Sequence, residues 1–293
     1  MKYKIKLENI MCVFIILCPI LDIASFVFRS TFNTKISPST IIRPIIPAIA
    51  ILYLFIKKDK KFKKNMIIAG TIYAVYATIH IYLFSKIKTG MSFGSETHEL
   101  QYIINYTFMI INLIVFTTVF KDENVEKLNK SILISTGIYI GSIYIAILTK
   151  TSSHTYIEGM GFKGWFESGN SISSILLLTM FIYLPYVKEK KYRKFIIPII
   201  ILVGAFLSML IGTRAGLFGF ILVIALYMGI EVLFNIIRNK KIDKKFLIIG
   251  ITGLAIVILV VIGFGSTTIQ RRKHLKDIES DIIDESSQEN AHI

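Results

Sequence analysis

The longest apolar stretch of the chain decides its fold: residues 195–234 read FIIPIIILVGAFLSMLIGTRAGLFGFILVIALYMGIEVLF. Its charged members are Arg214, at the midpoint, and Glu231, near the far end. A bilayer core of about 30 Å needs about 20 apolar residues of helix, so a stretch of this length predicts two membrane spans. Residues 211–216, Ile-Gly-Thr-Arg-Ala-Gly, are then the turn between the two spans.

This turn has the composition of an anion-binding site. It contains one guanidinium, two glycines and the first backbone N–H groups of the following helix. No carboxylate lies near Arg214 in sequence to neutralise it. A cation beside a helix N-terminus favours a bound anion, so we expect an anion at Arg214.

The composition of the whole chain is that of an integral membrane protein. Mean hydropathy is +0.64, and 54% of the residues are hydrophobic. The net charge of +15 comes from short basic clusters between apolar runs, a pattern of membrane orientation and not of nucleic-acid binding. Cys12 and Cys18 share one apolar segment, which indicates neither a disulfide framework nor a metal site.

Hydropathy predicts an all-α fold of about nine membrane spans. They cover about residues 9–28, 39–56, 66–84, 102–120, 131–148, 171–187, 195–212, 215–237 and 246–265. Lysine and arginine then number twenty-two on one side of the membrane and seven on the other, before the carboxyl tail. The positive-inside rule therefore predicts a cytoplasmic amino terminus and an outer position for Arg214.

We expect two regions along the chain. Residues 1–265 form the polytopic transmembrane domain. Residues 266–293 begin an outer loop, basic at first and then acidic, which we expect to be incomplete and disordered at its end.

Two ionisable residues fall within the outer halves of spans. Asp22 lies in the first span, and Arg43, followed by Pro44 and Pro47, lies in the second. An ionisable group inside a span is costly, which makes it a functional candidate. The alternative is a structural ion pair between Asp22 and Arg43, and the sequence leaves both interpretations open.

The third outer loop is rich in glycine and contains the single tryptophan. Residues 164–170 read Gly-Trp-Phe-Glu-Ser-Gly-Asn. An aromatic ring beside amide and carboxylate groups suits a sugar, which has an apolar face and hydroxyl groups. The alternative interpretation is structural: Ser168, Asn170 and Ser171 suit the N-cap of the sixth span, and Trp165 would be an interfacial anchor.

These residues resemble a known family. The Gly164–Asn170 segment, leading into a helix of small residues, resembles the glycine-and-asparagine motif of the O-antigen ligase and polymerase superfamily. Thr213-Arg214-Ala215-Gly216 looks like that superfamily's Ser/Thr-Arg-Gly/Ala signature. Arg271 or Arg272 occupies the place of the basic residue near the start of its large outer loop.

The resemblance implies a GT-C-like glycosyltransferase that needs no metal and no other cofactor. The donor would be a glycan on undecaprenyl diphosphate in the bacterial cytoplasmic membrane, and the acceptor a hydroxyl of a glycan, lipid or wall polymer. Arg214 would bind the diphosphate with Arg271 or Arg272, and Arg43 would be a third cation. Trp165, Asn170 and Thr213 would contact substrate.

One departure from the family concerns the outer loop. Members carry a histidine deep in this loop, followed by further spans, whereas His274 comes too early and His292 is too close to the arginines to take that role. We therefore expect a truncated member whose catalytic loop is missing. The alternatives are a polysaccharide flippase or other multi-span transporter, and a structural membrane subunit.

Overall fold

The structure is a computed structural model of a mostly helical chain. It describes residues 6–32, 37–87, 96–121, 124–156, 161–188 and 193–237, and also residues 248, 251–253, 255, 258 and 259. The helices within these ranges are α1 (Leu7–Phe32), α2 (Pro38–Lys57), α3 (Lys60–Ile87), α4 (Glu96–Val119), α5 (Val125–Leu148), α6 (Gly169–Lys188), α7 (Arg193–Ile211) and α8 (Arg214–Ile237). Strands β1 (Ser153–His154) and β2 (Phe162–Gly164) lie between α5 and α6.

The described helices have the length and composition of membrane spans. Seven of them are long and apolar enough to cross a bilayer, and α7 contributes a shorter apolar segment, Ile199–Ile211. No residue in the most apolar part of α3 is buried, and Ile72 is 66% exposed. Such a surface would be costly in water and is ordinary in lipid.

Each of the first eight predicted spans overlaps one of these helices. Several helices begin before the apolar segment does, because polar residues such as Lys60 and Glu96 continue the backbone hydrogen bonding outside it. The ninth predicted span lies largely outside the described residues, as does the segment 266–293. The short sheet between α5 and α6 was not predicted, and it adds a small β element to the expected all-α fold.

The chain divides into two compact units, Met1–Ser131 and Ile132–Ile293. In the first unit, α2 packs against α1 and α4, and α3 packs against α4. The buried core of this unit consists of Met11, Phe14, Ala50, Leu54, Val115 and Phe120.

In the second unit, α6, α7 and α8 pack against one another. Their core is built around Met180, Leu184, Ile201, Phe220 and Ile224, all 3% exposed or less. A Cβ atom on Gly204 of α7 would lie 2.6 Å from the Phe220 ring, so the absence of a side chain there lets α7 and α8 approach closely.

The two ionisable residues of the first unit form a pair. Arg43 Nη2 donates to Asp22 Oδ2 at 2.6 Å and to the Cys18 carbonyl oxygen at 3.2 Å. The side chains are 31% and 22% exposed. Of the two interpretations left open by the sequence, the structural ion pair between α1 and α2 is therefore formed.

This pair generates a stability prediction. Asp22→Asn or Arg43→Gln alone leaves one charge inside a span, and we expect each to lower the free energy of unfolding by about 1–3 kcal/mol. The double variant should recover part of that loss. Thermal unfolding in detergent micelles measures both.

The exposed Glu126–Lys130 pair, with Nζ and Oε1 2.8 Å apart, is the control. Lys130→Gln should cost less than about 1 kcal/mol. Strictly additive effects at positions 22 and 43 would contradict the coupling.

Candidate functional site

The turn between α7 and α8 has the position predicted from the sequence. Helix α7 ends at Ile211, and α8 begins at Arg214. Gly212 has a φ of 74°, in the left-handed region that glycine adopts without a steric penalty. Its N–H donates to the Ser208 carbonyl at 3.2 Å, which closes the last turn of α7.

Thr213 is the N-cap of α8. Its Oγ1 accepts a hydrogen bond from the Gly216 N–H at 3.1 Å. The same hydroxyl lies 2.6 Å from Ser173 Oγ of α6, and both side chains are 1% exposed. The start of α8 is therefore fixed to α6 by a buried pair of hydroxyls.

Gly216 makes this contact sterically feasible. A Cβ atom on Gly216 would lie 2.7 Å from Thr213 Oγ1 and 2.8 Å from Ser173 Oγ. A larger residue would therefore separate α6 from α8 or break the hydroxyl pair.

The segment before α6 is a hairpin that contacts the same turn. Strands β1 and β2 pair antiparallel. Just after β1, Thr155 Oγ1 donates to the Ile211 carbonyl at 2.8 Å, and the Tyr156 hydroxyl lies 3.4 Å from the Gly212 carbonyl oxygen. The hairpin thus contacts the carbonyl end of α7 while α6 contacts the start of α8.

The backbone of the hairpin leaves no room for a side chain at Gly161. Its φ is 70°, and a Cβ atom there would lie 2.5 Å from the Ile211 carbonyl oxygen. The Gly161 carbonyl accepts a hydrogen bond from the Thr155 N–H at 3.1 Å. Glycine at position 161 is therefore a consequence of close backbone contact.

The aromatic residues after the hairpin differ in exposure. Phe166 is 2% exposed and packs on Tyr139, with ring centroids 5.1 Å apart. Trp165 is half-buried, and its Nε1–H donates to Thr151 Oγ1 at 2.9 Å. Phe166 is a core residue, while part of the indole of Trp165 remains accessible.

The beginning of α6 agrees with the predicted cap. The Ser171 N–H donates to Ser168 Oγ at 3.3 Å, so Ser168 is the N-cap, as one of the three residues proposed from sequence. Asn170, in the first turn, is exposed. Its side chain is therefore accessible to a ligand.

The sequence-predicted site residues are only partly brought together. Asn170 and Thr213 belong to the beginnings of α6 and α8, which the Ser173–Thr213 contact joins, whereas Trp165 lies between β2 and α6 and bonds Thr151. Arg214 is the first residue of α8, and only its backbone is described. Arg271 and Arg272 lie outside the described residues. Arg43 belongs to the first unit, where it pairs with Asp22.

The side chain of Thr213 takes part in two hydrogen bonds within the protein. Its hydroxyl is buried and engaged by Ser173 and by the Gly216 N–H. A contact between Thr213 and substrate stays a prediction, and the observed role is to cap α8.

The comparison with protein families identifies the chain at this point. The family model described as O-antigen ligase like membrane protein matches residues 4–292. The chain belongs to this family. Neither a curated protein nor a solved structure gave a match.

The family assignment and the apolar helices together describe this O-antigen ligase-like protein as a multi-pass membrane protein. Among the described residues, no group of three or more His, Cys, Asp or Glu side chains could hold a metal ion.

Three residues of the ligase-like site were not singled out from the sequence: Thr155, Tyr156 and Ser173. Their contacts join positions 40 to 56 residues apart in the chain. The available signal was the accumulation of small residues after Gly164 and within the Thr-Arg-Ala-Gly signature, which marks close packing without naming its partners.

Gly216→Ala tests the close contact of α6 and α8 in this ligase-like protein. The added methyl group overlaps both hydroxyls, and we expect the free energy of unfolding to fall by about 1–3 kcal/mol. Gly229→Ala is the control on the same helix, since a Cβ atom there meets nothing within 4 Å.

Gly229→Ala should raise the free energy of unfolding by up to about 1 kcal/mol, because alanine has the better helix propensity. Thermal unfolding in detergent compares the two variants. Equal effects would show that Gly216 has no special packing role.

Proposed function

We propose that this protein transfers a glycan from undecaprenyl diphosphate to an acceptor hydroxyl on the outer face of the bacterial cytoplasmic membrane. The family assignment supports ligation or polymerisation of membrane-linked glycans. The proposal adds to this the identity of the donor, the outer side of the membrane as the place of reaction, and the roles of individual residues.

The observation that carries the proposal is the start of α8. The first N–H groups of a helix have no acceptor within the helix, and their partial positive charge favours an anion. Thr213 engages the N–H of Gly216, and Arg214 is the first helical residue. A fixed helix N-terminus with an arginine in its first turn suits a diphosphate, which carries two or three negative charges.

In the proposed reaction the acceptor hydroxyl oxygen attacks the anomeric carbon of the donor sugar, and the hydroxyl proton passes to water. The bond between that carbon and the diphosphate oxygen breaks, and undecaprenyl diphosphate leaves with the bonding electrons. Negative charge therefore grows on the diphosphate in the transition state. In this proposal Arg214, with Arg271 or Arg272, stabilises that charge and so lowers the barrier.

The residues around the hairpin suit the sugar part of the donor. The half-buried indole of Trp165 offers an apolar surface, with its N–H already bonded to Thr151. The exposed amide of Asn170 can donate to and accept from sugar hydroxyls. Arg43, as a third cation for the diphosphate, would have to act while it pairs with Asp22.

Binding of undecaprenyl diphosphate to the detergent-solubilised chain tests the proposal. We expect Arg214→Ala to weaken binding about ten- to a hundredfold, because one charge-assisted bidentate contact is lost. Arg214→Lys should also bind weakly, since an ammonium keeps the charge and loses the bidentate geometry.

Lys86→Ala is the matched control, because it removes one exposed cation at the end of α3 that is predicted to face outward. It should bind as the wild type does. Equal binding by wild type and both Arg214 variants, or no binding by any of them, would contradict the proposed role of Arg214.

The proposed outer orientation is tested independently by cysteine labelling. In a background with Cys12 and Cys18 replaced by alanine, Lys163→Cys reports on the hairpin and Lys61→Cys on the start of α3. A membrane-impermeant thiol reagent applied to intact cells should label position 163 and leave position 61 unlabelled until the cells are broken. The reverse pattern would invert the proposed topology.

A further inference from the structure

The hairpin between α5 and α6 makes a hydrogen bond that has no part in the transfer step as proposed. Thr155 Oγ1 donates to the Ile211 carbonyl at 2.8 Å, and Ile211 is the last residue of α7. Only Gly212 and Thr213 separate that carbonyl from the start of α8. The side chain of Thr155 is thus bonded to the turn from which Arg214 extends.

The carbonyl end of α7 is electrostatically unfavourable for an anion nearby. The last carbonyls of a helix carry its partial negative charge, and they lack partners within the helix. Here the Thr155 hydroxyl donates to the Ile211 carbonyl oxygen, and the Tyr156 hydroxyl lies 3.4 Å from the Gly212 carbonyl oxygen. These hydroxyls offset the negative end of α7 close to the positive end of α8.

The turn is also held at Thr213. Ser173 Oγ lies 2.6 Å from Thr213 Oγ1, and both are buried. With Thr155 bonded to Ile211 and Ser173 bonded to Thr213, the turn is held both before and after Gly212. A preorganised turn binds an anion without a cost of reorganisation.

We propose that Thr155 is a positioning residue of the diphosphate site, holding the α7–α8 turn and covering the negative end of α7. This inference rests on the proposed function, because it assumes an anion at the start of α8. Thr155 acts through the turn, and it need not touch the substrate itself.

The hairpin also connects the proposed sugar contact with the proposed diphosphate contact. The hairpin that carries Thr155 leads directly into Trp165, the proposed sugar contact. Because Thr155 ties this hairpin to the turn before Arg214, the sugar and diphosphate contacts belong to one connected piece of structure. Their separation is then set by the protein before the donor binds.

Two substitutions at position 155 separate the hydroxyl from the methyl group. Thr155→Val keeps the shape and removes the donor to the Ile211 carbonyl. Thr155→Ser keeps the donor and removes the methyl group, whose carbon would lie 2.7 Å from a Cβ atom on Gly169 and so packs closely there. A packing role and a hydrogen-bonding role therefore predict opposite rankings.

Undecaprenyl diphosphate binding to the full chain in detergent is the first readout. We expect Thr155→Val to bind about three- to tenfold more weakly than wild type, as the loss of one hydrogen bond would produce. Thr155→Ser should bind within about twofold of wild type. Unchanged binding by the valine variant, or weaker binding by serine than by valine, would overturn the proposal.

Amide hydrogen exchange of residues 208–218 without ligand is the second readout. A turn held by the Thr155 hydroxyl should exchange faster in Thr155→Val and at the wild-type rate in Thr155→Ser. Equal exchange in all three proteins would overturn the holding role, whatever the binding result.

The two readouts also separate this proposal from the proposed function. If wild type fails to bind, or the Arg214 variants bind as well as wild type, the donor assignment fails and Thr155 positions no diphosphate site. The exchange result then still decides whether its hydroxyl holds the turn. If wild type binds through Arg214 and the valine variant equals it, the donor site stands and the role of Thr155 is wrong.

Discussion

The hydrogen bond between the hydroxyls of Ser173 and Thr213 is the interaction on which the second unit depends. Both groups are buried, so neither has water as an alternative partner. The bond requires α6 and α8 to approach within the reach of two short side chains, and Gly216 supplies the space. The cap of α8, the direction of its first turn and the position of Arg214 in the backbone all follow from that approach.

The same demand for hydrogen bonding shapes the polar residues elsewhere in the helices. Serine and threonine hydroxyls within the helices donate to the carbonyl four residues earlier: Ser25, Thr71, Thr78, Thr107, Ser142 and Thr179. In hydrocarbon this satisfies the hydroxyl inside its own helix. Some of these hydroxyls also join two helices: Ser25 accepts from the Ser39 N–H of α2, and Thr107 bonds the Tyr73 hydroxyl of α3. Ser173 and Thr213 likewise join α6 to the start of α8.

Hydropathy alone located the helices, because the length of an apolar run is a local property that the bilayer thickness constrains directly. The turn before Arg214 followed from the same reasoning, since forty apolar residues exceed one span. The Ser168 cap was among the residues proposed from sequence, since N-cap preferences are also local.

What the sequence could not supply were contacts across long separations. The bond from Thr155 to Ile211 depends on how a hairpin folds back over the end of α7, and no periodicity encodes that geometry. Asp22 and Arg43 allowed either a pair or two separate functional groups, and only the packing of α1 on α2 decided for the pair. The burial of Thr213 and its hydrogen bond to Ser173 also depend on packing between distant segments, and its contact with substrate stays a prediction.

The Asp22–Arg43 pair has a consequence for how the chain enters the membrane during synthesis. A single aspartate or arginine at the centre of a span costs about 2.5–3.5 kcal/mol on insertion scales. Entering together as a helical hairpin, α1 and α2 can present a neutral, hydrogen-bonded pair to the lipid in place of two separate charges. Their joint insertion is therefore favoured over stepwise insertion, and α1 and α2 would already be paired when α2 leaves the translocation machinery.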